Sequence, residues 1–368
     1  MKFLIGKKDI ENILDLANEV VLRKSINPVL SNILLETYDG VLKVTATDSE
    51  LTFIAKIEAN IIEDGDVCVI NSTLRELVKA IQADEIIFEK IDSILKIYSE
   101  NGNFKANLKT FSTSEFPTIE TEELENAPTF AIKGFIFKDM ITKNIPFAAK
   151  DEVRYNFISV FIEKDGLELR TISSDTRRLA LAKTFVEGQT SDFSILIPLK
   201  TAKLLKSMLK DSDLEIKLLN KRVGFIQDNI TVISNQIEGD FPNYKAAIPQ
   251  ETEYNIIVNK LELENGMKIL NPFFTTENQK INFIIKNGAI KIVTDETEMG
   301  EGEYSISTDY DGNNIEISFN YNFIKDIITT IDEDNIMIKI KSNEKPVIFK
   351  GKESDNYLFV TVPSIRSR

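Results

Sequence analysis

An internal repeat constrains the fold of this chain more than any other feature of its sequence. Three similar short segments of apolar and polar residues each lead into an aspartate. The three aspartates are Asp48, Asp175 and Asp295. They lie 127 and then 120 positions apart. A second landmark, an apolar residue before a helix-like segment, recurs with nearly the same spacing at Ile70, Ile197 and Phe319. Because this period exceeds the 20–50 residues of solenoid repeats, each copy is predicted to be a complete domain.

The repeat divides the 368 residues into three predicted domains, 1–125, 126–250 and 251–368. Acidic or polar linkers at 120–126 and 248–253 mark their ends. Apolar residues at helical spacing, such as Ile10, Ile13 and Leu14, predict two amphipathic helices in each copy. Turn pairs such as Asp39-Gly40 separate short strand-like stretches, about eight in each copy. The expected fold class is α+β, with two helices packed on antiparallel sheets in every copy.

Composition excludes several classes of function. The chain contains no histidine, which rules out Ser-His-Asp hydrolases, Cys-His proteases and most zinc enzymes. Its one cysteine, Cys68, lies in an apolar stretch and is predicted to be a buried strand residue. Neither a signal-peptide core nor a membrane-spanning run is present, so a cytoplasmic location is expected. No cofactor and no metal site is predicted.

Positive charge is concentrated on selected helices, although the formal net charge of the chain is −14. Between Pro198 and Lys210 four lysines fall on one arc of a helix, opposite an apolar face, and no acidic residue interrupts them; they are Lys200, Lys203, Lys206 and Lys210. Arg75 and Lys79 form a smaller version in the first copy. Such faces are common on solvated helices, but an acidic protein with local basic faces is also typical of one that contacts phosphates.

Two phrases resemble a known family. Residues 174–180, Ser-Asp-Thr-Arg-Arg-Leu-Ala, and residues 237–244, Ile-Glu-Gly-Asp-Phe-Pro-Asn-Tyr, are similar to signature phrases of the bacterial sliding clamp, the β subunit of DNA polymerase III. Residues 151–155 and 360–363 also fit, and the likeness covers essentially the whole chain. The resemblance implies three DNA-clamp domains per subunit and a head-to-tail homodimer, so that one chain forms half of a closed ring.

The resemblance also implies a function without catalysis. It implies a DNA replication processivity factor, which encircles double-stranded DNA without reading its sequence and tethers the polymerase through a hydrophobic peptide pocket. The implied partners are the DNA polymerase III α subunit, the clamp loader, and clamp-binding peptides of repair polymerases, ligase and mismatch repair proteins. Neither a membrane nor a cofactor is implied.

Residues for three surfaces follow from the resemblance. The implied DNA-facing residues, the last two added from the lysine arc, are Lys24, Arg75, Lys150, Arg154, Tyr155, Lys200, Lys203 and Lys206. The implied pocket residues are Phe157, Ser174, Thr176, Arg177, Arg178, Leu179, Pro242, Ala246, Ala247, Asn320, Phe323, Pro346, Val360, Val362 and Pro363. The implied subunit interface includes Leu108, Ile269 and Leu270. Ala246 and Ala247 are smaller than is usual in the family, and the C-terminus is longer.

Two other classes of function remain open from the sequence. One is a metal-dependent nuclease that uses an acidic cluster such as Glu122, Glu123 and Glu125, although these residues lie in an expected linker. The other is a clamp-like protein-interaction ring without a role on DNA. Loss of nuclease activity when metal ions are chelated would identify the first class. Replacement of Lys200 and Lys203 by glutamate tests the second, because it shows whether the basic helices matter.

Overall fold

The computed structural model describes residues 1–22, 27–100, 102–150, 155–186 and 191–364. Their contacts divide the described chain into two compact units. The first unit contains residues 1–138 and 200–236, and the second contains residues 139–186, 191–199 and 237–364. The second sequence copy is therefore shared between the units.

Each copy alternates strands and helices in the same order. The elements of the first copy are β1 (Lys2–Gly6), α1 (Lys7–Val20), β2 (Asn32–Tyr38), β3 (Val41–Thr47), β4 (Leu51–Glu58), β5 (Asn60–Glu63), β6 (Gly65–Ile70), α2 (Asn71–Ala80), β7 (Glu85–Ile91), β8 (Ile94–Tyr98) and β9 (Lys105–Lys109). Those of the second copy are β10 (Thr129–Lys133), α3 (Gly134–Asn144), β11 (Ser159–Asp165), β12 (Glu168–Ser174), β13 (Arg178–Phe185), β14 (Phe193–Pro198), α4 (Leu199–Met208), β15 (Asp213–Leu218), β16 (Arg222–Gln227) and β17 (Ile230–Asn235). Those of the third copy are β18 (Tyr254–Asn259), α5 (Lys260–Leu270), β19 (Lys280–Lys286), β20 (Ala289–Thr294), β21 (Glu303–Ser307), β22 (Ile315–Asn320), α6 (Tyr321–Thr330), β23 (Asn335–Ile340), β24 (Val347–Gly351) and β25 (Tyr357–Thr361).

Antiparallel sheets run across the boundaries between copies. In the first unit, an eight-stranded sheet has the order β10-β15-β16-β17-β4-β3-β2-β6, and a five-stranded sheet has the order β5-β1-β7-β8-β9. In the second unit, an eight-stranded sheet has the order β14-β11-β12-β13-β25-β24-β23-β18, and a four-stranded sheet has the order β21-β20-β19-β22. Each eight-stranded sheet therefore takes four strands from one copy and four from the next. This sharing explains why the compact units do not coincide with the copies.

The helices pack as the sequence predicts. Along α1 the buried residues are Ile10, Ile13, Leu14, Ala17 and Val20, which form one apolar face. The buried residues of α6 follow the same spacing. Cys68 is fully buried in β6, beside Val29, Leu30 and Phe116, and burial raises the pKa of its thiol to about 11. The prediction of a buried strand cysteine is confirmed. No helix among the described residues is long and apolar enough to cross a membrane.

The repeated aspartates of the first two copies hold tight turns. Asp48 Oδ1 accepts hydrogen bonds from the backbone N–H groups of Glu50 and Leu51, at 3.0 and 2.7 Å. Asp175 Oδ1 accepts from the backbone N–H groups of Arg177 and Arg178, at 3.0 and 2.9 Å. Ser49 and Thr176 follow these aspartates with positive φ angles of 79° and 77°, so the side-chain bonds fix a conformation that is otherwise unfavourable. The sequence repeat thus reflects a structural turn.

Candidate functional site

A cluster of apolar side chains lies on one face of the eight-stranded sheet of the second unit. Its buried members are Ile172, Leu179, Leu181, Tyr244, Ile348 and Val360. Leu179 pairs with Val360 across β13 and β25, and Val360 pairs with Ile348 across β25 and β24. Because neighbouring residues on adjacent antiparallel strands point to the same face, these side chains form a continuous apolar layer, against which partly buried apolar residues pack. Leu179 and Val360 belong to the predicted pocket, whereas the other four members were not predicted.

The segment 241–248 covers part of this cluster and carries three predicted pocket residues. Pro242, Ala246 and Ala247 are exposed on it. The ring of Phe241 stacks on Phe161 with centroids 5.1 Å apart and lies 6.0 Å from Phe157, another predicted pocket residue. Stacked rings contribute more than their buried area alone, so the segment is held firmly against β11. Phe241 belongs to the second family phrase and Phe161 lies outside the phrases, and neither was predicted for the pocket.

A charged network anchors the same segment at its far end. The hydroxyl of Tyr244 donates a 2.6 Å hydrogen bond to Glu163, which also accepts from Arg170 at 2.9 Å. Burial opposes ionisation of Glu163, but these bonds and the nearby Lys245 hold the pKa of its carboxyl below the usual value. Burial and the bond to Glu163 raise the pKa of Tyr244, which stays a donor at neutral pH. The apolar cluster is therefore bordered by a fixed polar edge.

Arg178, a predicted pocket residue, is buried at the start of β13. Its guanidinium donates to Asp175 at 2.8 Å, to Asp326 at 2.6 Å and to the Pro146 carbonyl at 2.8 Å. It also lies between the rings of Phe147 and Phe323, with its Cζ 5.1 and 4.6 Å from their centroids. Phe323 is another predicted pocket residue. The planar guanidinium, held by hydrogen bonds to three partners, thus fixes one wall of the candidate site.

We expect Arg178→Met to destabilise the chain by about 2–3 kcal/mol, because it leaves Asp175 and Asp326 without their shared cation. The figure is at the low end for a broken buried pair, since the Asp326 side chain is 37% exposed. The matched control is Arg177→Met at the neighbouring, exposed arginine. Urea unfolding should show a lower midpoint for Arg178→Met only. Equal midpoints for the two variants would contradict the assignment.

The remaining predicted pocket residues lie in the same unit. Ser174 and Thr176 belong to the turn before β13, and the carbonyl of exposed Arg177 accepts a 3.0 Å hydrogen bond from the N–H of Val362. Asn320 caps α6, since its side chain accepts from the N–H groups of the next helical residues, Asn322 and Phe323. Pro346 precedes β24, and Pro363 lines a separate cavity beside β19 and β22.

The lysine arc on α4 is only partly available to a ligand. Lys200 forms an ion pair with Asp48 and donates to the Val20 carbonyl at 2.7 Å, so it joins α4 to the turn between β3 and β4. Lys203, Lys206 and Lys210 are exposed, and their ammonium groups have no hydrogen bond or ion pair within the described part of the chain. The sequence did not predict that Lys200 is structural, because Asp48 lies 152 positions away.

The basic pair on α2 is similarly neutralised. Arg75 forms ion pairs with Asp15 of α1 and with Glu76, the latter at 2.7 Å, and Lys79 lies 2.8 Å from Asp15. Burial opposes ionisation of Asp15, but Lys79 and Arg75 hold the pKa of its carboxyl below the usual value. Of the other predicted DNA-facing residues, Lys150 and Tyr155 are exposed. Lys24 and Arg154 lie outside the described residues.

The three residues implied for the subunit interface differ in exposure. Leu108 is half-buried on β9, the open edge of the five-stranded sheet, and Ile269 of α5 is 56% exposed. Leu270, by contrast, is fully buried in the core of the second unit. Successive residues of a helix point about 100° apart, so α5 presents Ile269 outward and Leu270 inward. The implied contact of Leu270 with a partner is therefore corrected: it supports the core.

The acidic residues of the nuclease hypothesis do not assemble a metal site. Glu122 and Glu123 lie in a short 3-10 helix, Glu122–Leu124, and Glu123 forms an ion pair with Arg222. No group of three or more acidic or cysteine side chains that could hold a metal ion occurs within the described ranges. The nuclease hypothesis therefore has no structural support.

Comparison with known proteins agrees with this architecture. Sequence profiles of the N-terminal, central and C-terminal domains of the DNA polymerase III beta subunit match residues 1–120, 131–243 and 245–364. The chain is 25% identical to a beta sliding clamp of Rickettsia bellii, over 99% of both chains. It is similar to the Thermotoga maritima DNA polymerase III beta subunit, with a TM-score of 0.92, 24% identity and complete coverage of both chains.

A further solved relative bears a ligand. The chain is similar to a sliding clamp from Pseudomonas aeruginosa whose structure contains bound griselimycin, with a TM-score of 0.91, 23% identity and 99% coverage of both chains. The profiles together account for nearly the whole sequence, in the order of the three copies. The chain therefore belongs to the DNA polymerase III beta subunit family, the non-catalytic sliding clamps of bacterial DNA replication.

Proposed function

We propose that two copies of this chain close head to tail into a ring that encircles duplex DNA in the cytoplasm and tethers the replicative polymerase through the apolar cluster. The domain limits 1–125, 126–250 and 251–368 fit this assembly, since each domain would supply one-sixth of the ring. The observation that carries the proposal is a pair of edge strands, β9 and β21, whose equivalents in the other copies pair with a strand of a neighbouring copy. The partners proposed for the cluster are peptides of the polymerase α subunit, the clamp loader and repair proteins.

In the other copies, the strands equivalent to β9 and β21 are paired with a strand of a neighbouring copy. Within the chain, β17 pairs with β4, and β25 pairs with β13. The equivalent strands of the third joint are β9, at the end of the first copy, and β21, within the third copy. An exposed strand edge is a template for pairing with another chain. A heterologous contact between β9 of one subunit and β21 of the next closes after two subunits if the six joints are alike.

The two joints within the chain also predict the register of the third. Phe53 pairs with Val232 in one joint, and Ala180 pairs with Phe359 in the other. Within their own copies, Phe53 and Ala180 each pair with the residue two positions before the repeated aspartate. In the third copy the residue at that position is Val293, and its partner on β21 is Glu303. The corresponding residue of β9 is Ala106, which faces Ile97 as Val232 faces Phe225. Ala106 should therefore lie opposite Glu303 of the second subunit.

Contact with DNA should depend chiefly on the free lysines of α4. A ring that slides needs loose phosphate contacts without base recognition, and the unpaired ammonium groups of Lys203 and Lys206 on α4 and of Lys210 just beyond it suit this role. Lys200 and Arg75 have carboxylate partners within the chain, and they would contribute less than the sequence alone predicts.

The double variant Lys203→Gln and Lys206→Gln should weaken binding to duplex DNA and reduce the slope of log affinity against log salt by roughly one for each lysine lost per subunit. Arg75→Gln should change that slope much less, because its guanidinium already neutralises Asp15. Fluorescence anisotropy on a labelled duplex at several salt concentrations measures both. If Arg75→Gln had the larger effect, the assignment of α4 would be wrong.

The function itself is tested by primer extension. With the cognate polymerase and clamp loader on a primed circle, addition of this chain should lengthen the product made in each binding event. A trap for free polymerase restricts the assay to single events. Unchanged product lengths with a loaded ring would favour the alternative of an interaction ring without a role in replication.

A further inference from the structure

A charged cavity of about 870 Å³ adjoins the apolar cluster in the second unit. It is lined by residues 148–150 before β11, by the turn that precedes β13 and by the first two turns of α6; its charged members are Lys150, Asp175, Arg177, Arg178, Lys325 and Asp326. It shares Thr176, Arg177, Arg178 and Phe323 with the predicted pocket, so a ligand seated on the cluster can reach it. Lys325 and Asp326 belong to none of the surfaces described above.

The charges of this cavity are not balanced. Both carboxylates are committed to Arg178, and Asp175 also accepts two backbone hydrogen bonds. The side chains of Lys150, Arg177 and Lys325 are exposed, and they make no hydrogen bond or ion pair with any described residue. Among the residues that the structure describes, four cations therefore face two anions, and three of these cations have no partner. Such a surface favours an anionic ligand.

The corresponding turn in the first unit already has a lysine partner. There Lys200, the second residue of α4, forms an ion pair with Asp48. The second residue of α6 is Asn322, and its side chain donates instead to Gln279 at 2.8 Å. Asp175, the counterpart of Asp48, takes its cation from Arg178. The exchange of a lysine for a shorter, neutral side chain leaves an open cavity in the second unit.

We propose that this cavity binds the carboxylate of an acidic residue next to the apolar anchors of a partner peptide, with Lys325 and Arg177 as its cationic partners. The inference rests on the proposed binding of partner peptides at the apolar cluster. Seating the anchors on Leu179 and Val360 places the neighbouring peptide residue beside Arg177, whose carbonyl is bonded to Val362. A carboxylate there gains charge-assisted hydrogen bonds from groups that have no other partner.

The test compares three peptides that share the same apolar anchors and differ only in the flanking residue, which is Asp, Asn or Lys. The wild-type ring should bind the Asp peptide about five- to tenfold more tightly than the Asn peptide at low salt. Lys325→Glu should abolish that preference and favour the Lys peptide, while affinity for the Asn peptide stays unchanged. Lys286→Glu, at an exposed hairpin end away from the cavity, is the matched control and should keep the wild-type order.

The outcomes separate this inference from the function on which it rests. If all three peptides bind the wild type equally and Lys325→Glu changes none of them, the cavity takes no peptide carboxylate, although the peptide pocket stands. If none of the three peptides binds, the assignment of the apolar cluster as a peptide pocket is wrong. A Lys325→Glu variant that weakens binding of a single-stranded oligonucleotide but leaves the peptide order intact would overturn the proposal in favour of a phosphate site.

Discussion

Replacement of Leu179 by aspartate is expected to reduce partner-peptide affinity at least about 100-fold, because an ionised carboxylate at this buried position disrupts the apolar packing on which a peptide would sit. Leu179 is only 4% exposed and pairs with Val360 at the centre of the cluster. Retention of the loaded ring on DNA should be unchanged, since Lys203 and Lys206, which we propose face the DNA, lie in the first unit. Peptide binding is measured by fluorescence anisotropy, and polymerase processivity should fall in parallel.

Two controls keep this prediction falsifiable. Leu179→Met preserves an apolar side chain of similar volume and should retain binding within a few-fold. Phe185→Asp introduces the same charge at a site on the same strand that is 77% exposed, and it should bind peptides normally. A Leu179→Asp ring that stays on DNA and still supports processive synthesis would show that partners bind elsewhere.

The second large effect is expected from cysteines placed across the proposed subunit joint. The variant with Ala106→Cys and Glu303→Cys should form two disulfides per dimer on oxidation, because opposite residues of an antiparallel pair bring their Cβ atoms to about 4.5–5.5 Å. A ring loaded on a nicked circle and then oxidised should remain on the circle in denaturing detergent, whereas the reduced ring should be lost completely. Buried Cys68, with its raised thiol pKa, should not compete.

The register supplies the control for this experiment. Ala106→Cys combined with Ser307→Cys places the second thiol four residues away along β21 and should cross-link poorly. Efficient cross-linking of both pairs would mean that the edges do not meet in the predicted register. Open chains of cross-linked subunits, rather than closed dimers, would contradict ring closure.

Local sequence signals were sufficient for the elements and their faces. The helical spacing of Ile10, Ile13 and Leu14 predicts the buried side of α1, and Asp39-Gly40 predicts the turn between β2 and β3. The first helix of the third copy shows a further signal that was not used: Asn259 accepts a hydrogen bond from the N–H of Glu262, as a helix cap does.

Pairings between distant residues could not be predicted from local patterns. The joints β17·β4 and β13·β25 bring together strands that are remote in sequence, and no periodicity specifies which edges meet. The ion pair between Lys200 and Asp48 depends on one such joint, so the lysine arc suggested four free cations where three are free. Leu270 was misassigned for a related reason, since only the packed structure distinguishes it from exposed Ile269.

The central claim is that this chain holds DNA by topology, and one measurement tests it most directly. The chain is loaded onto nicked circular DNA by the cognate clamp loader with ATP, and retention is measured at moderately high salt before and after a single cut linearises the circle. Electrostatic binding weakens equally on both forms as salt rises, whereas a threaded ring is lost only from a free end. We predict stable retention on the circle and rapid loss after the cut. Equal retention on both forms, or none on either, would contradict the account.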